Sequence, residues 1–137
     1  MEAFQVNILA SDHPFYEGKC FSLILPTAGG MCGIRARHSN MVTALVPGIM
    51  TYQIEENVSR EAAVSGGLAK VENGEVLILV DSAERPEEID ANRAQRAADR
   101  AKEELLQKKS IQEYRMAQSN LARALSRLQV KSSANKH

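Results

Sequence analysis

Arginines in the C-terminal third of the chain are the residues whose spacing points most clearly to chemistry. One predicted helix carries Arg93 and Arg100, and a second predicted helix carries Arg123 and Arg127. If these helices pack antiparallel, Arg93 lies near Arg123 and Asp90 lies near Arg127. Guanidinium groups placed so close repel one another unless an anion bridges them, and their planar forks suit phosphate oxygens. The spacing therefore indicates a phosphate site, and the alternative is a solvated basic face in which Asp90 is an ion-pair partner.

Signatures of catalysis and of metal binding are absent from the sequence. There is no G-x-x-x-x-G-K-[ST] phosphate loop, no H-E-x-x-H helix and no Cys-x-x-Cys pair. Cys20 and Cys32 lie in or beside apolar strands, which indicates buried thiols rather than nucleophiles. No catalytic residue and no metal site is predicted, so an enzyme is the least favoured class of function.

Two helices must position the arginines. The segment from position 87 to 137 contains neither glycine nor proline. Pro86 followed by two glutamates favours a first helix over about residues 87–107, and Ser110 with Glu113 forms a capping box that starts a second over about 111–130. The first presents an alanine-rich row, and the second presents larger residues at the same spacing: Ile111, Tyr114, Leu121, Leu125 and Leu128, with Gln118 as the polar member. Such rows predict an antiparallel hairpin, and the polar tail over residues 131–137 is expected to fray.

The residues before position 85 form a different kind of unit. Residues 1–84 carry five basic and ten acidic side chains, whereas residues 85–137 carry twelve and seven. Phe4, Val6 and Ile8 alternate with polar residues, as in a strand with one buried face, and Asn73-Gly74 favours a tight hairpin turn. The fold class predicted is α+β: an N-terminal antiparallel β-sandwich or barrel over residues 1–84, then the two-helix hairpin over 85–137.

Composition excludes several classes of function. The 137 residues carry 17 basic and 17 acidic side chains, so the net charge is zero, and a nucleic-acid partner is not predicted. No apolar run approaches the roughly 18 residues of a membrane-spanning helix, and the N-terminus lacks the features of a signal peptide.

Several motifs together resemble one family, the epsilon subunit of bacterial F-type ATP synthases. They occur in the family's order: FQVNIL at 4–9, TALVPG at 43–48, SGG at 65–67 and VLILVDSAE at 76–84, followed by the helical hairpin. The resemblance implies a non-catalytic subunit of the rotor, or central stalk, peripheral to the cytoplasmic face of the cell membrane. Its implied partners are the gamma subunit and the c-ring, so contact with the membrane is indirect. A free-standing ATP-sensing or adaptor domain of the same fold is the alternative.

The resemblance also implies a regulatory hairpin. Folded onto the sandwich, it permits ATP hydrolysis; extended along gamma towards the catalytic alpha and beta subunits, it blocks hydrolysis. IDANRA at 89–94 matches the I/L-D-x-x-R-A motif by which some family members bind ATP, which makes ATP an implied regulatory ligand and leaves no obligatory cofactor. Ile89, Asp90 and Ala94 would then lie at the adenine, Glu84 near the ribose, and four arginines at the phosphates: Arg93, Arg100, Arg123 and Arg127.

Partner contacts are implied at four further residues. In the family, the loop that corresponds to GIRARHSN at 33–40 touches gamma and the c-ring, although two prolines that the family usually has there are absent. His38 lies within this loop and Met31 precedes it, and both are implied contact residues. Arg115 and Lys131 on the second helix would meet acidic segments of the beta subunits. These assignments come from the resemblance alone.

Overall fold

A computed structural model describes residues 2–107 and 110–135. Within them, ten strands precede a 3₁₀ turn and two helices, so the sandwich-then-hairpin prediction is confirmed. The strands are β1 (Phe4–Ala10), β2 (Pro14–Cys20), β3 (Ser22–Thr27), β4 (Gly30–Ile34), β5 (Met41–Leu45), β6 (Gly48–Glu55), β7 (Val58–Val64), β8 (Gly67–Glu72), β9 (Glu75–Val80) and β10 (Ala83–Glu84). The 3₁₀ turn is Pro86–Glu88, and the helices are α1 (Ala91–Leu106) and α2 (Ile111–Asn135).

The strands follow the order β10-β7-β6-β3-β5-β8-β9-β1-β2, with β4 paired to β3. All these pairs are antiparallel except β1 with β9, which run parallel; the expectation of a wholly antiparallel sandwich is wrong at this pair. Side chains of β1 alternate between buried and half-buried as their period predicts. The hairpin of β8 and β9 turns at Asn73 and Gly74, whose φ angles of 53° and 78° fit the predicted turn.

The first helix begins later than predicted. Pro86 and the glutamates after it form the 3₁₀ turn, and α1 starts at Ala91, not at residue 87. Asp90 is its N-cap, because its Oδ1 accepts a hydrogen bond from the Arg93 backbone N–H at 3.1 Å. The second helix starts where predicted, with Ser110 Oγ accepting from the Glu113 N–H at 3.1 Å.

The second helix also buries a different face and ends later than predicted. The alanine row of α1 is buried at Ala94, Ala98 and Ala101 as expected. On α2, however, Ile111, Tyr114 and Leu125 are exposed, and the buried positions include Ala117, Ala124 and Val130. Small residues on both helices let the backbones approach closely, so alanines form the helix–helix interface in place of the larger apolar side chains. The helix continues to Asn135, past the predicted end at about residue 130. The expected fraying of the tail stays a prediction, and Lys136 and His137 lie outside the described residues.

The hairpin is folded against the sandwich. Val130 of α2 is fully buried in a small cluster with Ala63 of β7 and Ile89, and half-buried Ile49 packs against it. Next to this cluster, Lys131 Nζ donates a hydrogen bond to the Pro86 carbonyl at 3.1 Å. These contacts fix the start of α1 and the last turns of α2 close to the edge formed by β7 and β10.

The two cysteines differ in burial. Cys20 is fully buried, and loss of hydration raises the pKa of its thiol to about 11. Cys32 is only half-buried, so the expectation of a second buried thiol is wrong. Neither side chain lies near the arginines described below.

Candidate functional site

A cavity of about 610 Å³ lies beside the first turns of α1. It is enclosed by α1, by α2 and by the strap, which we define as residues 84–90, from the end of β10 to the start of α1. Its walls are mostly charged, with two alanines as the apolar part. The lining residues are Glu84, Glu88, Asp90, Arg93, Ala94, Arg96, Ala97, Arg100 and Arg127. Four of the nine side chains are guanidinium groups and three are carboxylates, so the lining is positively charged on balance and suits an anionic ligand.

The three carboxylates of the cavity already have partners. Glu84 Oε1 accepts a hydrogen bond from Arg127 Nε at 2.6 Å, and both side chains are about two-thirds buried. Glu88 Oε1 lies 3.2 Å from Arg85 Nη1, outside the cavity. The third carboxylate, Asp90, caps α1. Within the described residues, none of these carboxylates forms an ion pair with another arginine of the cavity.

Three arginines of the cavity have no such partner. In the part of the chain that the structure describes, the guanidinium groups of Arg93, Arg96 and Arg100 form no ion pair and no hydrogen bond. They follow one another at spacings of three and four along α1, so they lie on one face of the helix. Unpaired positive charge that converges on a concave surface is the main electrostatic feature of this site.

The residues predicted for ATP binding fall into two groups. Six of them line the cavity: Glu84, Asp90, Arg93, Ala94, Arg100 and Arg127. Ile89 does not, because its side chain packs in the cluster with Ala63 and Val130. Arg123 lines a smaller adjoining cleft of about 160 Å³, which it shares with Arg100 and Arg127.

The charged residues that were predicted to be neighbours are brought together in part. Asp90 and Arg127 share the cavity as expected, whereas Arg123 shares its cleft with Arg100, and Arg93 does not line that cleft. The four predicted arginines thus form a row from one cleft into the next.

Sequence reasoning missed three of the lining residues, Glu88, Arg96 and Ala97. The signal for Arg96 was present, since 93, 96 and 100 have the spacing of one helical face. Glu88 was missed because the sequence places residue 88 in the first helix, whereas in the structure it belongs to the 3₁₀ turn, where its side chain has a different direction.

The residues predicted to contact partners have these positions. Met31 at the start of β4 is 61% exposed. His38, half-buried in the next loop, has its Nδ1 2.8 Å from the carbonyl oxygen of Ser39. Arg115 is exposed on α2, whereas Lys131 is engaged with the Pro86 carbonyl. Their roles towards partners stay predictions.

Sequence comparisons identify relatives along nearly the whole chain. Residues 3–86 match the family described as the beta-sandwich domain of the ATP synthase delta/epsilon chain, and residues 87–132 match its long alpha-helix domain. The ATP synthase epsilon chain of Caldanaerobacter subterraneus subsp. tengcongensis is 42% identical over 132 residues, which cover 96% of this chain and 95% of that relative. That of Ruminiclostridium cellulolyticum is 38% identical, covering 93% and 95%.

Solved structures share the fold. A chain of the Euglena gracilis mitochondrial ATP synthase superposes with a TM-score of 0.76 at 23% identity, covering 96% of this chain and 80% of that one. A chain from the central stalk and c-ring of the Tetrahymena thermophila enzyme gives 0.65 at 15% identity, covering 95% and 94%. Among the described residues, no helix has the length and apolar character needed to span a bilayer. On the family matches and the identities over nearly full length, the chain belongs to the ATP synthase delta/epsilon-chain family, as an epsilon chain.

Proposed function

We propose that this chain is a non-catalytic rotor subunit that joins gamma to the c-ring on the cytoplasmic face of the bacterial membrane. Its relatives are named ATP synthase epsilon chains, and a chain of similar fold comes from a central stalk and c-ring assembly. Association with the membrane is then peripheral and passes through the complex.

The sandwich offers a surface suited to a protein partner. Leu68 of β8 lies directly opposite Leu79 of β9, and these side chains are 50% and 43% exposed. The same cross-strand row continues to Ala44 on β5 and Leu9 on β1. This apolar row is exposed on three strands and half-buried at Leu9. It supports docking on the gamma subunit, with Met31 and His38 as further contact candidates.

The hairpin acts as a brake on ATP hydrolysis that ATP releases. The observation that carries this proposal is the arginine-lined cavity, whose walls come from the strap, α1 and α2 together. Glu84 and Arg127 approach each other only when the hairpin is folded, so the cavity is complete only in that state. A ligand that binds one of two states stabilises it by RT ln(1 + [L]/Kd). ATP in this cavity therefore favours the folded hairpin over the extended one that meets the alpha and beta subunits.

Calorimetric titration of the isolated protein with ATP tests the site. We expect saturable binding that weakens at least tenfold in Arg93→Ala and in Arg127→Ala, since each loses a charge-assisted contact of about 1.5–3 kcal/mol. Arg115→Ala removes the same charge from an exposed position outside the cavity and is the matched control. Absence of binding at millimolar ATP would refute the nucleotide site and leave the rotor assignment standing.

A further inference from the structure

Arg96 is the one arginine of the cavity that the family motif does not account for. It belongs neither to IDANRA at 89–94 nor to the other arginines implied by the resemblance, yet it lines the same cavity as Arg93 and Arg100. Its guanidinium group forms no ion pair or hydrogen bond within residues 2–107 and 110–135. A long side chain without a local partner is free to turn towards a ligand.

Its position on α1 is intermediate between the two neighbouring arginines. A helix rises about 1.5 Å per residue, so Arg93 and Arg100 are separated by about 10 Å along the axis, and Arg96 lies about 4.5 Å from Arg93. The three are on one face within about 60° of arc at 100° per residue. They place three positive charges at successive positions along one wall of the cavity. This geometry is suited to a chain of phosphates rather than to a single compact anion.

The carboxylates of the cavity form no ion pair with the three α1 arginines in the part of the chain that the structure describes. Glu84 is bonded to Arg127 at 2.6 Å, Glu88 lies 3.2 Å from Arg85, and Asp90 caps the helix. The exposed guanidinium groups of α1 are therefore open to an incoming anion. We propose that Arg96 is a third phosphate-binding residue on α1, acting with Arg93 and Arg100 on the polyphosphate chain of the nucleotide. This assignment rests on the nucleotide site proposed above.

The test compares Arg96→Gln with Arg115→Gln by calorimetric titration with ATP at two salt concentrations. Gln keeps helix propensity and an unbranched polar side chain, shorter than that of arginine, and removes the charge. Circular dichroism verifies that both variants fold. We expect Arg96→Gln to weaken ATP binding at least tenfold. Because a phosphate contact is lost, its dissociation constant also varies less steeply with salt than that of the wild type. Arg115→Gln retains both the wild-type affinity and the wild-type salt dependence.

The outcomes separate this assignment from the site itself. If wild type binds ATP and the two variants behave alike, Arg96 does not touch the phosphates and the assignment is overturned while the site stands. An Arg96→Gln loss with unchanged salt dependence also overturns it, since the residue would then act through helix structure. If wild type does not bind ATP, the proposed site fails and this assignment fails with it.

Discussion

Asp90 shows how one residue of a binding motif can serve the fold. The motif places it at the adenine, whereas in the structure its carboxylate accepts the Arg93 backbone N–H and starts α1. The following turns of α1 carry all three unpaired arginines. A cap at this position therefore also determines where the guanidinium groups begin.

We expect Asp90→Ala to lower the free energy of unfolding by about 1 kcal/mol, because the helix loses its N-cap. Asp90→Ser restores a capping oxygen without the charge and is expected to remain close to wild type. Asp99→Ala is the control: it removes a carboxylate of the same helix whose hydrogen bond to Gln95 Nε2, 3.1 Å long, is exposed and is worth about 0.2–0.5 kcal/mol. Urea unfolding followed by circular dichroism measures all three. A Ser variant as unstable as the Ala variant would contradict the capping role.

At the scale of elements, the sequence predicts the kinds of element better than their contacts. The period of β1, the Asn73-Gly74 turn and the Ser110 cap all depend on neighbouring residues, and each is found. The seam of α2 depends instead on how closely α1 approaches. Large apolar residues such as Ile111 and Leu125 dominate a hydrophobicity pattern, but Ala117 and Ala124 fit the narrow gap beside an alanine-rich helix.

In the candidate site, too, features set by neighbouring residues could be predicted and contacts between elements could not. The identity of the arginines was readable, because their spacing on each helix is local. Their mutual placement was not, because it depends on contacts between the helices: Arg123 lines a cleft with Arg100, and Arg93 lines the neighbouring cavity. Nothing near Ile89 in the sequence indicates that Val130, in the last turns of the other helix, packs against it; its contact with a nucleotide stays a prediction.

Val130 anchors the second helix of the hairpin to the sandwich. It is fully buried against Ala63 and Ile89, and burial of a valine side chain contributes about 1.5–3 kcal/mol. We expect Val130→Asp to detach α2 from the sandwich, because an unpaired buried carboxylate costs more than that contact supplies. Small-angle X-ray scattering of the isolated protein should then show a larger radius of gyration.

Leu125→Asp is the matched control for that substitution. Leu125 lies on the same helix and is 45% exposed, so its charge meets water and the radius of gyration should stay at the wild-type value. A Val130→Asp protein as compact as wild type would show that the Glu84–Arg127 pair and the Lys131 hydrogen bond suffice to hold the hairpin.

At the scale of the whole molecule, the sandwich and the hairpin differ in what stabilises them. The sandwich has a continuous core of large side chains that includes Ile8, Leu23, Leu25, Met50 and Ile78. The hairpin buries mainly alanines between its helices, each with little apolar area. The sandwich is therefore the stable domain, and the hairpin is the part whose position a ligand of modest affinity can change.

The structure also indicates where the stable sandwich domain ends along the chain. The Arg85 guanidinium lies 4.0 Å from the centre of the Phe15 ring, donates to the Phe15 carbonyl and pairs with Glu88. The 3₁₀ turn is thereby tied to the sandwich, and the helical hairpin proper starts after it. A truncation that removes only the hairpin must keep residues up to Glu88.

Deleting residues 89–137 is the whole-molecule test of the brake. We expect the truncated chain to stay in the purified ATP synthase complex, because the sandwich surface around Leu68 and Leu79 is intact, and we expect ATP hydrolysis by the complex to rise. Deletion of residues 85–137 is the comparison: it also removes the Arg85 contact with Phe15, so the chain should be less stable and be retained less well. Quantifying the chain in each complex beside its hydrolysis rate separates release of a brake from loss of the subunit. If the 89–137 deletion is fully retained and hydrolysis does not rise, the hairpin does not inhibit this enzyme, whatever it binds.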